Sequence, residues 1–223
     1  LISEYATWVG QNKALLNAYQ QIKDSAEFAT LSVAQQKTIN DTIRDFELSG
    51  VALPDAEKKR YAEIQAKLSE LSSVFSNNVM DATLSWSKLI TDENDLAGLP
   101  ESAKAAAAQA ARQQEKEGWV FTLDYPSYIP FMTYANAREL RKKMAIAFGK
   151  KGFQENKNNN EQVVLAIVSL RHQRAQLLGY KTHAHFVLEE RMAETPEKVI
   201  SFSNELLKKA TPAAKREFND LQQ

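Results

Sequence analysis

Apolar residues recur at helical spacing along most of this chain. The clearest stretch follows Pro54, where apolar side chains return every three or four positions at Tyr61, Ile64, Leu68, Leu71, Phe75 and Val79. Such spacing places them along one stripe of an α-helix and leaves the other face polar. Similar patterns predict further helices over Tyr5–Tyr19, Leu31–Leu48, Ser102–Lys116, Arg138–Phe148 and Glu161–Leu178, and after Thr182 and Thr195. We therefore expect a mainly α-helical, multi-helix fold.

Two segments depart from this spacing and predict a small β element. Trp119–Leu123 alternates large and β-branched residues, which suit a half-buried pleated strand. Residues 84–91 give a weaker strand signal around Trp86 and Leu89. We expect residues 84–91 to pair antiparallel with residues 119–123, with the intervening residues forming a crossover.

Prolines mark two further irregular places. Pro126 and Pro130 follow the second predicted strand and predict a turn rich in aromatic residues, because proline removes an amide donor. Asn136 predicts the N-cap of the helix that comes next. Near the end of the chain, Pro212 predicts an interruption or a kink in the last helix.

Other residues predict where helices end and which of them lie at the surface. Gly50 and Gly179 follow predicted helices at positions where glycine commonly ends a helix, and Thr182 and Thr195 predict N-caps. Ala105–Ala108 has high helix propensity but little bulk to bury. We expect that helix to lie at the surface.

The segment GKKGFQENKNNN, at residues 149–160, is the least regular part of the sequence. It divides the chain into a helical region with the β element at residues 1–149, a loop at 150–160, and a second helical region at 161–223. If the protein has a flexible joint, we expect it in this loop. Lys150, Lys151 and Lys157 favour a solvated loop over a docking site.

Composition excludes several classes of function. With 223 residues and 43% hydrophobic content, the chain can bury a real core, which argues against disorder. Lysine plus arginine equal aspartate plus glutamate at 28 each, so we expect neither nucleic acid nor a membrane as partner. The chain has no cysteine, which excludes disulfides and thiolate metal sites and fits a reducing cytoplasm.

Several strings together resemble one protein family. They are GWVFTLDYPSYIPFMTYANARELR at Gly118–Arg141, Arg44–Gly50, Leu68–Leu71 with Ser76–Val79, Leu96–Ser102, Leu170–His172, Ala175–Tyr180 and Met192–Pro196. In this order they resemble the M3 family of zinc metallopeptidases, the thimet-oligopeptidase family, and most of all its bacterial oligopeptidases. The resemblance covers nearly the whole chain, and family members are much longer. It implies an internal fragment of an enzyme whose two helical halves face each other across a peptide channel.

The resemblance also implies different roles for this chain and for the rest of the full-length protein. The full-length parent would use zinc to hydrolyse short peptides in the cytoplasm, and a C-terminal catalytic region would carry the metal. This chain would supply wall and scaffold to the channel. Residues 179–193 are closer to the peptidyl-dipeptidase branch of the family, so that activity stays open. A different alternative is a stand-alone helical interaction module without catalysis.

The candidate chemistry of the chain itself is sparse. M3 enzymes resemble other zinc peptidases in using His-Glu-x-x-His on a helix, and the three histidines His172, His183 and His185 do not form it. His183 and His185 are two residues apart, so their side chains diverge on a helix. We expect no zinc bound by this chain, no catalytic residue in it, and a packing role for His172.

Other catalytic patterns are weak or missing. The sequence has no Gly-x-Ser-x-Gly turn and no glycine-rich phosphate loop. Glu189 and Glu190 adjoin Arg191, which favours a solvated helix face over an acid and base pair. The substrate-binding residues stay unknown. Four aromatic residues could line a peptide channel but are better explained as a packed turn. They are Tyr125, Tyr128, Phe131 and Tyr134.

Overall fold

A computed structural model describes residues 2–222, which form ten α-helices and one two-stranded sheet. The mainly α-helical prediction is confirmed. The elements in chain order are α1 Ile2–Gly10, α2 Lys13–Lys23, α3 Val33–Leu48, α4 Asp55–Leu84, β1 Ser87–Ile90, α5 Glu101–Gln113, β2 Trp119–Thr122, α6 Tyr125–Tyr134, α7 Arg138–Gly149, α8 Glu161–Leu177, α9 His183–Leu188 and α10 Pro196–Leu221. Two short 3-10 helices lie at Ala26–Thr30 and Glu93–Leu96.

The predicted β element exists, and both strands are shorter than predicted. β1 and β2 pair antiparallel, with Ser87 opposite Thr122 and Ile90 opposite Trp119. The first strand begins three residues later than predicted, because α4 continues through Leu84. A short 3-10 helix and α5 connect the strands, as the expected crossover requires.

Helix α5 lies at the surface with one face packed against the sheet. Ala107 is 4% exposed and Ala111 is fully buried. Their small side chains let the backbone of α5 come close to β2, which also packs against α6. The expected surface position is confirmed, but the sequence did not indicate how closely alanine would let one face of the helix approach β2.

The predicted helix Tyr5–Tyr19 is two helices. The chain leaves helical geometry after Gly10, and the Asn12 side chain accepts a hydrogen bond of 3.1 Å from the Leu15 backbone amide. Asn12 is therefore the N-cap of α2. An asparagine side chain competes well for backbone amides at such a position, and it ends the apolar pattern that otherwise runs through both helices.

The predicted aromatic turn is the helix α6. Pro126 lies in its first turn, where the amide that proline lacks would have no helical partner. Pro130 lies inside the helix and removes one backbone hydrogen bond. Phe131, which is fully buried, gives this short helix the tertiary packing that offsets that loss.

Asn136 does not cap the following helix. Helix α7 begins at Arg138, and its N-cap residue is Ala137, whose side chain accepts no capping hydrogen bond. The Asn136 backbone amide instead donates a hydrogen bond of 2.8 Å to the Ala97 carbonyl. Asn136 thus ties the start of α7 to the loop before α5.

The predicted stops at Gly50 and Gly179 are confirmed. Gly179 has a φ of +81°, and the Tyr180 amide donates to the Ala175 carbonyl at 2.8 Å. This hydrogen bond spans five residues and defines a Schellman motif at the end of α8. Gly50, with a φ of +74°, ends α3 in the same way.

The predicted caps at Thr182 and Thr195 are also confirmed. Their side chains accept hydrogen bonds from the backbone amides of His185 and Lys198. Helix α10, which Thr195 caps, is continuous from Pro196 to Leu221. The interruption predicted at Pro212 therefore does not occur.

The loop between α7 and α8 is closed at its base. The Asn160 amide donates to the Gly152 carbonyl at 2.8 Å, and the Asn160 side chain, 3% exposed, donates to the Phe75 carbonyl at 3.1 Å. The Asn78 side chain donates to the Asn160 side-chain oxygen at 2.8 Å. These bonds join both ends of the loop to each other and to α4.

The chain forms two compact units. One unit combines the chain up to Ser69 with the chain from Val168 onward, and the other is Glu70–Ile167. The second unit has a core around Ile90, Leu96, Phe121, Phe131 and Met144. The division of the chain into two helical regions joined by a loop at residues 150–160 stays a prediction.

Candidate functional site

The structure places the three histidines on two helices without bringing them into a metal site. His172 is exposed on α8 and lines a cavity of about 420 Å³ with Glu57 and Arg60. The prediction that His172 packs into the helices is therefore wrong. His183 and His185 are partly buried on α9. The Nδ1 atom of His185 lies 2.7 Å from the hydroxyl of the cap residue Thr182, so this imidazole supports the helix start.

The surroundings of His183 favour its neutral form. Burial lowers the pKa of His183, and the positive charges of Arg174 and Arg171 lower it further. Its ring stacks on Phe186 with a centroid distance of 6.2 Å, and its buried Nδ1 atom has no hydrogen-bond partner. These contacts describe a packed aromatic side chain.

A polar network beside α9 fixes α4 to α8. The Arg174 guanidinium donates to the Gln65 side-chain carbonyl at 2.9 Å and lies 4.6 Å from the centre of the Phe186 ring. Gln65 donates in turn to the Tyr61 hydroxyl at 2.9 Å, and that hydroxyl donates to the Leu48 carbonyl at 3.3 Å. Burial lowers the pKa of Arg174 and raises the pKa of Tyr61. The network pairs one terminal nitrogen of Arg174, the Gln65 amide and the Tyr61 hydroxyl, whereas the buried Nε atom of Arg174 has no hydrogen-bond partner. We assign the network a structural role.

The residues present do not fit a zinc ion. Within residues 2–222, no group of three or more histidine, cysteine, aspartate or glutamate side chains is placed to hold a metal. A catalytic zinc needs three protein ligands and an open position for water. Glu189 and Glu190 are exposed at the end of α9, as Arg191 is. We derive no metal-dependent step from these residues.

The aromatic residues of α6 divide between core and surface. Phe131 is fully buried, and Tyr128 stacks on Phe148 with ring centroids 4.2 Å apart. Tyr125 and Tyr134 are 67% and 53% exposed. The preference for packing is confirmed for Phe131 and Tyr128. Only Tyr125 and Tyr134 are free to contact a ligand extensively.

A large open groove lies in the unit Glu70–Ile167. Its volume is about 1000 Å³. Trp86 lies beside β1, Ile146 is on α7, and Phe153 is in the closed loop, where it is 63% exposed. The lining also carries five charged residues, namely Lys88, Lys143, Lys150, Glu155 and Glu161.

The groove combines apolar walls with charged groups in a way that suits peptides. Aromatic and aliphatic side chains offer contact area to peptide side chains, and lysine ammonium groups can bind carboxylates. Of the three lysines predicted to be solvated, Lys150 lines the groove, Lys151 lies 3.6 Å over the Phe148 ring, and Lys157 is exposed.

Sequence reasoning missed this groove because its residues come from two stretches that lie far apart in sequence, 86–88 and 143–161. Periodicity assigns each residue to a face of its own helix and does not say which distant elements meet. One local signal was present: Phe153 is a large apolar residue within a polar, lysine-containing loop. Such a residue marks either a buried anchor or an exposed contact surface.

Two family profiles match the chain. The profile described as Peptidase family M3 matches residues 131–223, and the profile described as Neurolysin/Thimet oligopeptidase, N-terminal domain, matches residues 2–59. Within the described residues, no helix is long and apolar enough to cross a bilayer.

Curated relatives agree with these profiles. The chain is 47% identical to "Oligopeptidase A" of Salmonella typhimurium over 99% of its own length, and 48% identical to "Oligopeptidase A" of Haemophilus influenzae. It covers 33% of each of those proteins. Its identity to "Dipeptidyl carboxypeptidase" of Escherichia coli is 27%, over 95% of the chain and 30% of that protein. The chain thus spans about a third of the length of these relatives.

Proposed function

The chain belongs to peptidase family M3, and on that basis we propose that it is the non-catalytic, peptide-binding part of a zinc-dependent oligopeptidase. The observation that carries the proposal is the 47% identity to an oligopeptidase over nearly the whole chain, in a protein three times as long. Zinc and the groups that activate water would then belong to the part of the polypeptide outside this chain. Hydrolysis of short peptides would require both parts.

The groove of Trp86, Ile146 and Phe153 is the surface through which we expect this part to contact peptides. An extended peptide buries side chains against aromatic and aliphatic walls, and its carboxylates can pair with lysines at the rim. The remaining helices would act as wall and scaffold of the channel. A cytoplasmic location stays a prediction.

The decisive experiment grafts this chain onto a relative. The matched third of the Salmonella typhimurium oligopeptidase A is replaced by these 223 residues, and cleavage of a fluorogenic peptide is measured with added zinc. We expect the hybrid to cleave the peptide and the 223-residue chain alone to be inactive. Zinc-dependent cleavage by the chain alone would contradict the proposal, and so would a folded hybrid that binds zinc without cleaving.

The role of the groove is tested in the same hybrid. Lys143→Glu reverses a charge at the rim, and Lys142→Glu is the matched control because Lys142 is exposed but does not line the groove. For a peptide with acidic side chains, we expect Lys143→Glu to raise KM about fivefold, since one exposed charge contact contributes about 1 kcal/mol. Equal effects of the two substitutions on KM would exclude the groove as the binding site for acidic peptides.

Two alternatives have their own outcomes. The identity to a dipeptidyl carboxypeptidase, together with residues 179–193, motivates comparing peptides with free and amidated C-termini. Cleavage only of free C-termini, with release of dipeptides, would favour that activity over an oligopeptidase. Peptide binding by the isolated chain, combined with an inactive hybrid, would favour a stand-alone interaction module.

A further inference from the structure

Helix α10 presents a broad apolar face that none of the described residues of its own unit covers. No residue of its 26 is buried. The large apolar side chains on this helix are exposed by 39% to 87%, and they are Val199, Ile200, Phe202, Leu206, Leu207, Phe218 and Leu221. At 100° per residue, these positions fall on one side of the helix.

The opposite side of α10 is polar and supplies little support of its own. Lys209 pairs with Glu205 at 2.6 Å, one turn away, and both side chains are largely exposed. Exposed pairs of this kind stabilise a helix only slightly. Pro212 removes a backbone hydrogen bond in the middle of the helix. A helix with these features owes its stability to packing of its apolar face against another surface.

The extent of the family match indicates what that surface is. The Peptidase family M3 profile matches residues 131–223, so α10 lies wholly within the region that the family shares. The curated relatives are three times as long as the chain. In such a protein, about two thirds of the polypeptide lies outside the part that this chain matches. That additional polypeptide can cover an apolar helix face inside the shared region.

We propose that the apolar face of α10 is an interface, covered by an apolar surface of the remaining two thirds of an M3 polypeptide. This inference rests on the proposed function, because it assumes that this chain acts together with that polypeptide. It goes further by naming the contact: Leu206 and Leu207 lie at the middle of the interface, flanked by Ile200 and Phe218.

Thiol labelling tests this proposal without background from the chain, which has no cysteine. Leu206→Cys places a thiol on the apolar face, and Ser201→Cys is the matched control on the polar face, about 140° away around the helix. Both positions are exposed in the present structure. Each variant is labelled as the 223-residue chain and as the hybrid with the Salmonella typhimurium relative. Mass spectrometry of the α10 peptide separates its thiol from any in the relative.

We expect both thiols to react at similar rates in the 223-residue chain. In the hybrid, the thiol of Leu206→Cys should react at least tenfold more slowly, and that of Ser201→Cys within about twofold of its rate in the chain. Equal rates for Leu206→Cys in chain and hybrid would overturn the proposal. So would slow labelling in the chain alone that depends on its concentration, since a second copy would then cover the face.

Peptidase activity of the hybrid separates this inference from the proposed function. An active hybrid with an unprotected thiol at position 206 overturns the interface and leaves the proposed function standing. A protected thiol in a folded, zinc-loaded but inactive hybrid supports the interface and contradicts the proposed function. Because Leu206→Cys itself removes an apolar side chain, Leu207→Cys is labelled in parallel as a second probe of the same face.

Discussion

The rings of Phe121 and Phe131 meet edge to face, with centroids 4.7 Å apart and planes inclined by 63°. This contact joins strand β2 to helix α6 in the core, and it explains why a segment with two prolines is helical. Replacing Phe131 by alanine should therefore lower the free energy of unfolding by about 3–5 kcal/mol, the usual cost of removing a buried phenylalanine. Urea denaturation followed by circular dichroism measures this.

Tyr134, in the same helix, is the control for Phe131. Because it is 53% exposed, Tyr134→Ala should change the free energy of unfolding by no more than about 0.5 kcal/mol. If the two substitutions cost the same, the helical packing of α6 described here is incorrect.

The hydrogen bond from Arg174 to Gln65 gives the second prediction. Gln65→Leu leaves the half-buried guanidinium without this acceptor, which should lower the free energy of unfolding by about 1–3 kcal/mol. The control is Gln173→Leu, which removes an exposed acceptor 2.7 Å from Arg60 and should cost less than about 0.5 kcal/mol. A smaller loss for Gln65→Leu than for Gln173→Leu would show that the buried network does not hold α4 to α8.

Two glycines with opposite backbone requirements give the third prediction. Gly179 has a φ of +81°, so Gly179→Ala should lower the free energy of unfolding by about 1–2 kcal/mol through backbone strain alone, since an added Cβ would meet no atom. Gly149 ends helix α7 with ordinary helical geometry and equally open space. Gly149→Ala should raise the melting temperature where Gly179→Ala lowers it. Shifts of the same sign would contradict the motif assigned to Gly179.

His183 should make the free energy of unfolding depend on pH. Its pKa is lowered in the folded protein, so the unfolded chain binds a proton more readily and protonation favours unfolding. The contribution of His183 to stability is complete above the ordinary histidine pKa of about 6.5 and declines as the pH falls below that value. We expect the free energy of unfolding to decrease between pH 7.5 and pH 5.5, and His183→Asn to make that decrease smaller. His172→Asn controls for the removal of an imidazole, and an identical response in both variants would assign the effect elsewhere.

Residue patterns predicted those parts of the fold that local chemistry determines. The stripe on α4 is an example, since Tyr61, Ile64, Leu68 and Leu71 are all buried. The glycine stops and threonine caps are equally local, because a positive φ or a side-chain acceptor needs only its own neighbours in sequence. The same stripe reaches Phe75, which is 39% exposed. Periodicity identifies a face but not how completely a partner covers it.

The errors arose where a distant element decided the outcome. Local rules for proline predicted a turn at residues 125–134, whereas burial of Phe131 against Phe121 favours a helix there. The close fit of alanine-rich α5 against β2 was not predicted, because it cannot be read from the composition of α5. The groove was not found for the same reason, since Trp86, Ile146 and Phe153 are brought together only by the fold.

Asn160 closes the loop between α7 and α8 at its base. The shape of the loop can therefore change without loss of the hydrogen bonds that stabilise the surrounding helices. Substitutions, or even changes of length, between Phe153 and Lys157 alter one wall of the groove while the bonds from Asn160 to Gly152 and Phe75 stay intact. Under the proposed function, sequence changes in this loop would alter peptide preference at little cost in folding. Members of the family that differ in the peptides they accept should differ here more than at Asn160.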